Sequence, residues 1–183
     1  SLAIVPKSPA VKFSVNSKPR NIPEPFFNNK TGDLYEYDQF TEGYVKKGKT
    51  KIGIVFNTDV HTGGGRHWMG LYINLNQKII LFFDSAVTYT NLHPEIKSFV
   101  ENIKQQYKDI NFTFKYNTVQ HQQSNSECGM YSIYFILTML DADESKKYNS
   151  LYMFDKFFNS SEKTVSDKLM VLYRTKLFRE CDC

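Results

Sequence analysis

The stretch Gln122-Gln123-Ser124-Asn125-Ser126-Glu127-Cys128-Gly129-Met130 constrains this chain most, because a polar loop there runs directly into an apolar segment that ends near Leu140. From Met130 onward, Ile133, Tyr134, Phe135, Ile136, Leu137, Met139 and Leu140 cover nearly every side of a helix, and a helix apolar all round is a buried one. Cys128 falls at its first turn. Unpaired backbone N–H groups and the positive end of the helix dipole favour a thiolate there and make the sulfur nucleophilic near neutral pH. Ser126 or Asn125 suits the cap of such a helix, and Gly129 leaves the sulfur approachable with no side chain in the way. A lone cysteine is more often a small buried hydrophobe, so the remainder of the chain must decide between the two.

A chain of 183 residues can bury about two-thirds or more of its unfolded surface in one domain and needs neither disulfides nor a metal to hold together. No run approaches the ~18 apolar residues of a membrane span. Three cysteines, two of them in the closing Cys181-Asp182-Cys183, form no disulfide framework. With no charged-then-apolar leader, they predict a reducing compartment. The net charge of +4 is modest and much of the excess lies in Lys46-Lys47-Gly48-Lys49-Thr50-Lys51. That run reads as a solvated turn, with a phosphate-binding patch as the alternative.

Residues 1 to about 32 hold five of the six prolines and predict an irregular arm with Pro23, Pro25, Phe26 and Phe27 as anchors. Ile52 to Phe56 is a β-branched run expected as a buried strand. The loop Asn57 to Arg66 contains Gly63, Gly64 and Gly65, but it enters a strand and lacks Gly-Lys-Ser/Thr, so it is no phosphate loop. His67 to Leu75 alternates, with His67, Met69, Leu71, Ile73 and Leu75 on one face and Trp68, Gly70, Tyr72 and Asn74 on the other. Asn76-Gln77 turns the chain and Lys78 to Asp84 returns. Pro94 opens a helix with a stripe of Ile96, Phe99, Val100, Ile103 and Tyr107. Asn111 to Asn117 predicts a strand with Phe112, Phe114 and Tyr116 on one face, and Leu151 to Phe158 and Val165 to Phe178 predict two more amphipathic helices.

The hairpin register follows from its turn. If residue 75 pairs with 78, then 69 lies opposite 84 and 67 opposite 86. His67 and Asp84 then share a face at diagonal positions, with Cβ atoms about 7–8 Å apart, within reach of an imidazole–carboxylate hydrogen bond. A slip of one residue separates them onto opposite faces.

These positions meet the needs of a thiol protease: a nucleophile, a base, a group that orients the base, and donors for a developing oxyanion. Cys128 is the candidate nucleophile, His67 the base or imidazolium partner, and Asp84 the carboxylate that fixes the ring tautomer. Gln122, six residues before the cysteine, can place its side-chain amide beside the Cys128 backbone N–H as an oxyanion hole. Singly each residue has a plainer reading: an edge histidine, a turn-forming aspartate, one glutamine of a polar loop. Jointly they are far less ordinary.

The set His67-Trp68, Asp84, Gln122 and Glu127-Cys128-Gly129 resembles the signature of the ubiquitin-like-protein-specific cysteine proteases, the family of the SUMO proteases and adenovirus endopeptidase. The wider stretches Asn57-Thr58-Asp59, Thr62-Gly63, Gly65-Arg66-His67-Trp68, His121-Gln122 and Tyr131-Ser132 resemble more closely its polyprotein-processing branch in large DNA viruses, African swine fever virus among them. The resemblance implies an α+β fold with a central mixed sheet flanked by helices, a papain-like or adenain-like core. It covers roughly residues 52–140, the catalytic core of one expected domain over 1–183 that also holds the arm at 1–32 and C-terminal helices over 150–178, and the two ends match only loosely. By the same resemblance the substrate is a protein cut after Gly-Gly, with Trp68 roofing a slot only glycine fits and Gly129 beside it. No cofactor, metal or membrane is implied, and the site of action is the host cytoplasm, its viral factories and the virion. The single tryptophan departs from the SUMO-protease branch, which carries a second tryptophan on the other wall of the channel, and favours the viral branch. Glu127 stands where SUMO proteases commonly have Asp.

Four readings follow: a Gly-Gly endopeptidase of viral polyproteins, a protease for SUMO-like modifiers, a silent module binding a partner or making weak nucleic-acid contacts through the lysine turn, and a metal site from His61, His67, His93, His121 and the cysteines. The complete catalytic set stands against the third. The fourth lacks zinc-ligand spacing.

Overall fold

The computed structural model describes residues 2–6, 50–58, 67–87, 92–145 and 148–178. Five strands, β1 (Leu2–Pro6), β2 (Lys51–Asn57), β3 (Trp68–Asn74), β4 (Ile79–Phe83) and β5 (Thr113–Tyr116), form a sheet in sequential order. β1 and β2 are parallel, as are β4 and β5, while β2, β3 and β4 are antiparallel neighbours. The sheet is therefore mixed and, with the helices on its two faces, gives the expected α+β class.

Side chains alternate across the central strands, and both faces are covered. Ile52, Ile54, Phe56, Met69, Leu71, Ile73, Ile80 and Phe82 pack with Ile96, Phe99, Val100 and Ile103 of helix α1 (Pro94–Gln106). Tyr72, Ile79, Leu81 and Phe83 turn the other way, toward helix α2 (Cys128–Ser145) and the C-terminal elements. Those are α3 (Ser150–Met153), which continues as a π-helical turn (Phe154–Phe158), and α4 (Asp167–Leu177). Phe83 centres this second layer, its ring 5.2 Å from that of Phe135 and 5.0 Å from that of Phe158.

The hairpin has the register its turn predicts: Gly70 pairs with Phe83 and Ile73 with Ile80. Its loop has four residues, Leu75 to Lys78, which leaves the pairing unchanged from a two-residue connection. Asn74 Oδ1 accepts from the Asn76 and Gln77 amides at 3.0 and 3.1 Å, and Lys78 takes up a left-handed φ of 57° to re-enter the ladder.

Three expectations need correction. Leu2–Pro6 is a strand where an irregular arm was expected: Leu-Ala-Ile-Val is a short run that can add to a sheet edge, and Pro6 is tolerated at the end of an edge strand. The rest of the arm, its aromatic and proline anchors, the run Lys46 to Lys49, and residues 59–66 of the glycine loop with His61 lie outside the described residues. β5 hides only part of its stripe, since Phe112 is buried, Phe114 half-buried and Tyr116 exposed, as befits an edge strand. α4 buries Met170 but leaves Val171, Leu172, Leu177 and Phe178 exposed.

Gly70 sets the distance between α2 and the sheet. A Cβ at that position would stand 2.9 Å from Phe135 Cδ1 and 3.2 Å from the Ser132 carbonyl oxygen, and the latter is helix backbone that cannot swing aside. Gly70→Ala is expected to destabilise the fold by about 1–3 kcal/mol through overpacking. Chemical denaturation checks this, and an unchanged midpoint at unchanged m-value would show that the helix can move off the strand at no cost.

Candidate active site

Helix α2 runs alongside β3 in the same direction, and this brings the cysteine to the histidine. Gly129 lies against Trp68, Ser132 and Phe135 against Gly70, and Asp143 binds Tyr72 and Asn74. Fourteen helical residues at 1.5 Å each cover about 21 Å, and the six steps from Trp68 to Asn74 cover about 20 Å. The two elements thus stay in step. At the far end the Asp143 carboxylate accepts from the Tyr72 hydroxyl at 2.7 Å, Asn74 Nδ2 at 2.6 Å, Gln77 Nε2 at 2.5 Å and the Ser150 amide at 3.1 Å. With that end pinned to the hairpin turn, the first residue of α2, Cys128, overhangs the sheet end beside His67.

Strict alternation would send His67 to the α1 side of the sheet, opposite α2. It lies one residue before β3, at the end of the sheet, where the Thr58 amide donates to its carbonyl at 2.9 Å. His67 Nε2 lies 2.6 Å from Asp84 Oδ1. The Cys128 sulfur is near enough to the same ring for each group to shift the other's pKa. With Nε2 committed to Asp84, Nδ1 is the ring nitrogen left for sulfur. Asp84 Oδ1 further accepts from the Ala86 amide at 2.9 Å, which fixes the carboxylate rotamer.

The electrostatics of the three groups are mutual. Burial disfavours the His67 imidazolium, but hydrogen bonds to Asp84 and Cys128 and the negative charges there outweigh it and raise its pKa to about 9. Burial pushes the Cys128 thiol up, and the His67 ring together with the backbone amides of Trp68 and Gly129 pulls it below its usual value. For Asp84 burial again opposes ionisation, and the His67 bond with backbone donors holds the carboxyl below the ordinary range. A thiolate–imidazolium pair is therefore favoured over the neutral thiol and imidazole.

The helix start differs in detail from the capping expected of Ser126 or Asn125. Glu127 occupies the position before the first helical residue, its carbonyl accepting from the Tyr131 amide at 3.0 Å. The Ser126 hydroxyl lies 3.3 Å from Glu127 Oε1, and Arg174 of α4 closes on Glu127 Oε2 at 2.8 Å. A negative charge beside the sulfur would disfavour a thiolate, and the Arg174 guanidinium offsets it.

Gln122 is buried, six residues before Cys128. Ser85 Oγ donates to its Oε1 at 2.7 Å and its Nε2 donates to the Ser124 carbonyl at 2.5 Å, which fixes which end of the carboxamide is nitrogen. One amide hydrogen on Nε2 has no role in either bond. The Ser85 carbonyl meanwhile accepts the His121 and Gln122 amides, both at 2.9 Å. Asp167, in the first turn of α4, receives the Ser124 amide at 2.9 Å and the Gln123 amide at 3.1 Å, so the cysteine loop is held from both sides.

Trp68 is half-buried against Gly129, whose missing Cβ would meet its ring at 3.8 Å, an ordinary contact. Among the described residues nothing therefore forbids a side chain at 129, where a Cβ would rest in ordinary contact with the Trp68 ring. His121, counted in the metal reading, has both nitrogens engaged by backbone: Nε2 with the Phe158 carbonyl at 3.1 Å and Nδ1 accepting the Val165 amide at 2.9 Å. It is a neutral structural histidine, and burial lowers its pKa. Among the described residues no three His, Cys, Asp or Glu side chains are grouped to hold a metal ion, and no helix is long and apolar enough to cross a membrane.

Ser85, Gly70, Asp167 and Arg174 had no expected role in the site. Only Gly70 carried a local signal, since glycine inside a strand marks close approach of another backbone.

A family model described as the Ulp1 protease family, C-terminal catalytic domain, matches residues 45–170. A protein described as a SUMO-1 cysteine protease, from a South African tick isolate of African swine fever virus, is 34% identical over 148 residues, covering 77% of this chain and 49% of that one. A cysteine protease of the Vero-adapted Badajoz strain has the same identity and coverage. Among solved structures, a selenomethionine crystal form of the African swine fever virus protease superposes with a TM-score of 0.53 at 29% identity, covering 72% of this chain and 45% of that chain. The chain spans about half the length of the curated relatives it matches.

Proposed function

This chain belongs to the Ulp1 protease family, and on that premise we propose that it is the catalytic part of a cysteine endopeptidase that cleaves after Gly-Gly in viral structural polyproteins during virion maturation. The observation that carries the reading is the contact of the His67 ring with both Asp84 and the Cys128 sulfur at the start of a buried helix.

The Cys128 thiolate attacks the carbonyl carbon of the second glycine. The carbonyl oxygen gains the negative charge, met by the Cys128 backbone N–H, which has no acceptor within its helix, and by the uncommitted N–H of Gln122. When the tetrahedral centre collapses, the C–N bond breaks and the His67 Nδ1 proton passes to the leaving amine. A thioester remains. Water then attacks it, giving its proton back to Nδ1, and sulfur departs as thiolate. Throughout, Asp84 holds Nε2–H and stabilises the imidazolium.

Two observations favour glycines next to the scissile bond. The Trp68 ring lies against Gly129, the residue after Cys128, and Gly129 itself adds no side chain there. Host cytoplasm and virion are the places of action that go with this reading. A second reading, processing of SUMO-like modifiers, is favoured by the description of the African swine fever virus relative. Offering a Gly-Gly-Xaa peptide and a folded modifier conjugate separates the two: cleavage of the peptide is expected, and cleavage of the conjugate alone would overturn the ranking.

Gln122→Ala is expected to lower kcat by ~10²–10³-fold with KM little changed, because the lost donor acts on the oxyanion. Steady-state kinetics on the peptide reads this out, and an unaltered kcat would remove Gln122 from the site.

A further inference from the structure

Asp84 stands one residue past the end of β4, and β5 has already parted from the sheet there: the last β4–β5 pair is Phe82 with Tyr116. An unsupported strand end frays, yet the Asp84 carboxylate must hold a ring nitrogen at 2.6 Å. The side chain of Asn117 fills the gap. Its Oδ1 accepts the Asp84 amide at 2.8 Å, and its Nδ2 donates to the Asp84 carbonyl at 2.7 Å. This is the pair of bonds a neighbouring strand residue would make. Asn117 is in turn fixed by its own amide, which donates to the Phe82 carbonyl at 3.3 Å, and by a second bond from Nδ2 to the Val119 carbonyl at 3.0 Å. The carboxamide is buried and its three hydrogen bonds, one accepted by Oδ1 and two donated by Nδ2, hold it in one orientation, because a flip would set its oxygen against two carbonyls.

We propose that Asn117 is a positioning residue of the catalytic site, a side chain that continues the sheet past β5 and holds the Asp84 backbone so that its carboxylate meets the His67 ring. This rests on the reading of His67, Asp84 and Cys128 as the catalytic set. The Ala86 amide fixes the Asp84 carboxylate relative to its own turn, while Asn117 fixes the turn relative to the sheet that carries His67. The shortest variant, Asn117→Ala, removes both Asp84 bonds without adding volume. Asn117→Ser keeps a polar group in the same space.

A double-mutant cycle on the full chain tests it, using cleavage of a Gly-Gly-Xaa peptide and the pH dependence of Cys128 alkylation by iodoacetamide. Asn117→Ala is expected to lower kcat/KM by about 10- to 100-fold, as a displaced catalytic group does. It should also bring together the two pH steps that bound the thiolate–imidazolium pair, with Asn117→Ser falling between it and wild type. In an Asp84→Asn background, Asn117→Ala should cost little further. Independent, additive losses, or a fall in melting temperature with both pH steps unmoved, would make Asn117 a merely structural residue and overturn the proposal. Failure of the wild-type chain to cleave the peptide or to alkylate first at Cys128 would instead strike at the catalytic reading itself.

Discussion

Replacing Cys128 with alanine should lower the rate of peptide cleavage on the order of 10⁵–10⁶-fold, to the level that binding and oxyanion donors alone sustain. The expectation rests on there being no second nucleophile within the set. Ser132 sits one turn along α2, but its hydroxyl is buried and bonded to the Cys128 carbonyl at 2.9 Å, facing into the helix. Among the described residues no imidazole is hydrogen-bonded to Ser124 or Ser126, since His67 is committed to Asp84 and His121 to backbone. The fold should survive. Cys128 is the first residue of α2, and the helix is anchored by Phe135, Met139 and the Asp143 bonds much further along. Removal of one buried sulfur atom at the helix start leaves only a small void, so a melting curve close to wild type is expected alongside the loss of activity. Cleavage at even a hundredth of the wild-type rate, in a preparation shown by mass to carry alanine, would remove Cys128 as the nucleophile.

How far the site was legible in the sequence depends on the separation over which each contact acts. The His67–Asp84 pair was legible because two local rules fix it: period-two alternation assigns the faces, and a short turn at Asn76-Gln77 sets the register. The buried helix behind Cys128 was legible because its residues are apolar on every side. What strand periodicity could not show is how His67 reaches a sulfur on the opposite face. That required the common direction of α2 and β3 and the Asp143 anchor, which joins residues 66 to 71 positions apart in sequence. Ser85 with Gln122, 37 apart, and Glu127 with Arg174, 47 apart, are likewise contacts between elements. Locally, Ser85 and Asn117 look like any polar residue at a strand end. The β1 strand was obscured differently: five prolines dominate the first 32 residues, and a four-residue apolar run gains strand character only from the β2 edge it pairs with.

His67→Ala should reduce turnover nearly as far as loss of the cysteine, and its pH dependence distinguishes the mechanism. In the wild-type chain burial lowers the His67 pKa, while Asp84 and Cys128 together raise it to about 9. The thiolate–imidazolium pair therefore persists from the lowered pKa of Cys128 up to about pH 9, and kcat/KM should fall on the alkaline side near that value as the proton owed to the leaving amine is lost. The sign for stability is the same: a group whose folded pKa lies above its ordinary 6.5 contributes stability that is complete below 6.5 and vanishes as pH rises through about 9. Without the ring, the burial that pushes the Cys128 thiol up is opposed only by the backbone amides of Trp68 and Gly129. Iodoacetamide should then label Cys128 slowly at neutral pH and ever faster as pH rises, with no alkaline step near 9. Asp84→Asn should fall between, since the amide oxygen can still accept from Nε2–H but the carboxylate charge is gone, and the alkaline limb should move to lower pH. A variant lacking His67 that alkylates at neutral pH as fast as the wild type would mean that the helix terminus alone ionises the sulfur, and the histidine would keep only the role of proton donor to the departing amine.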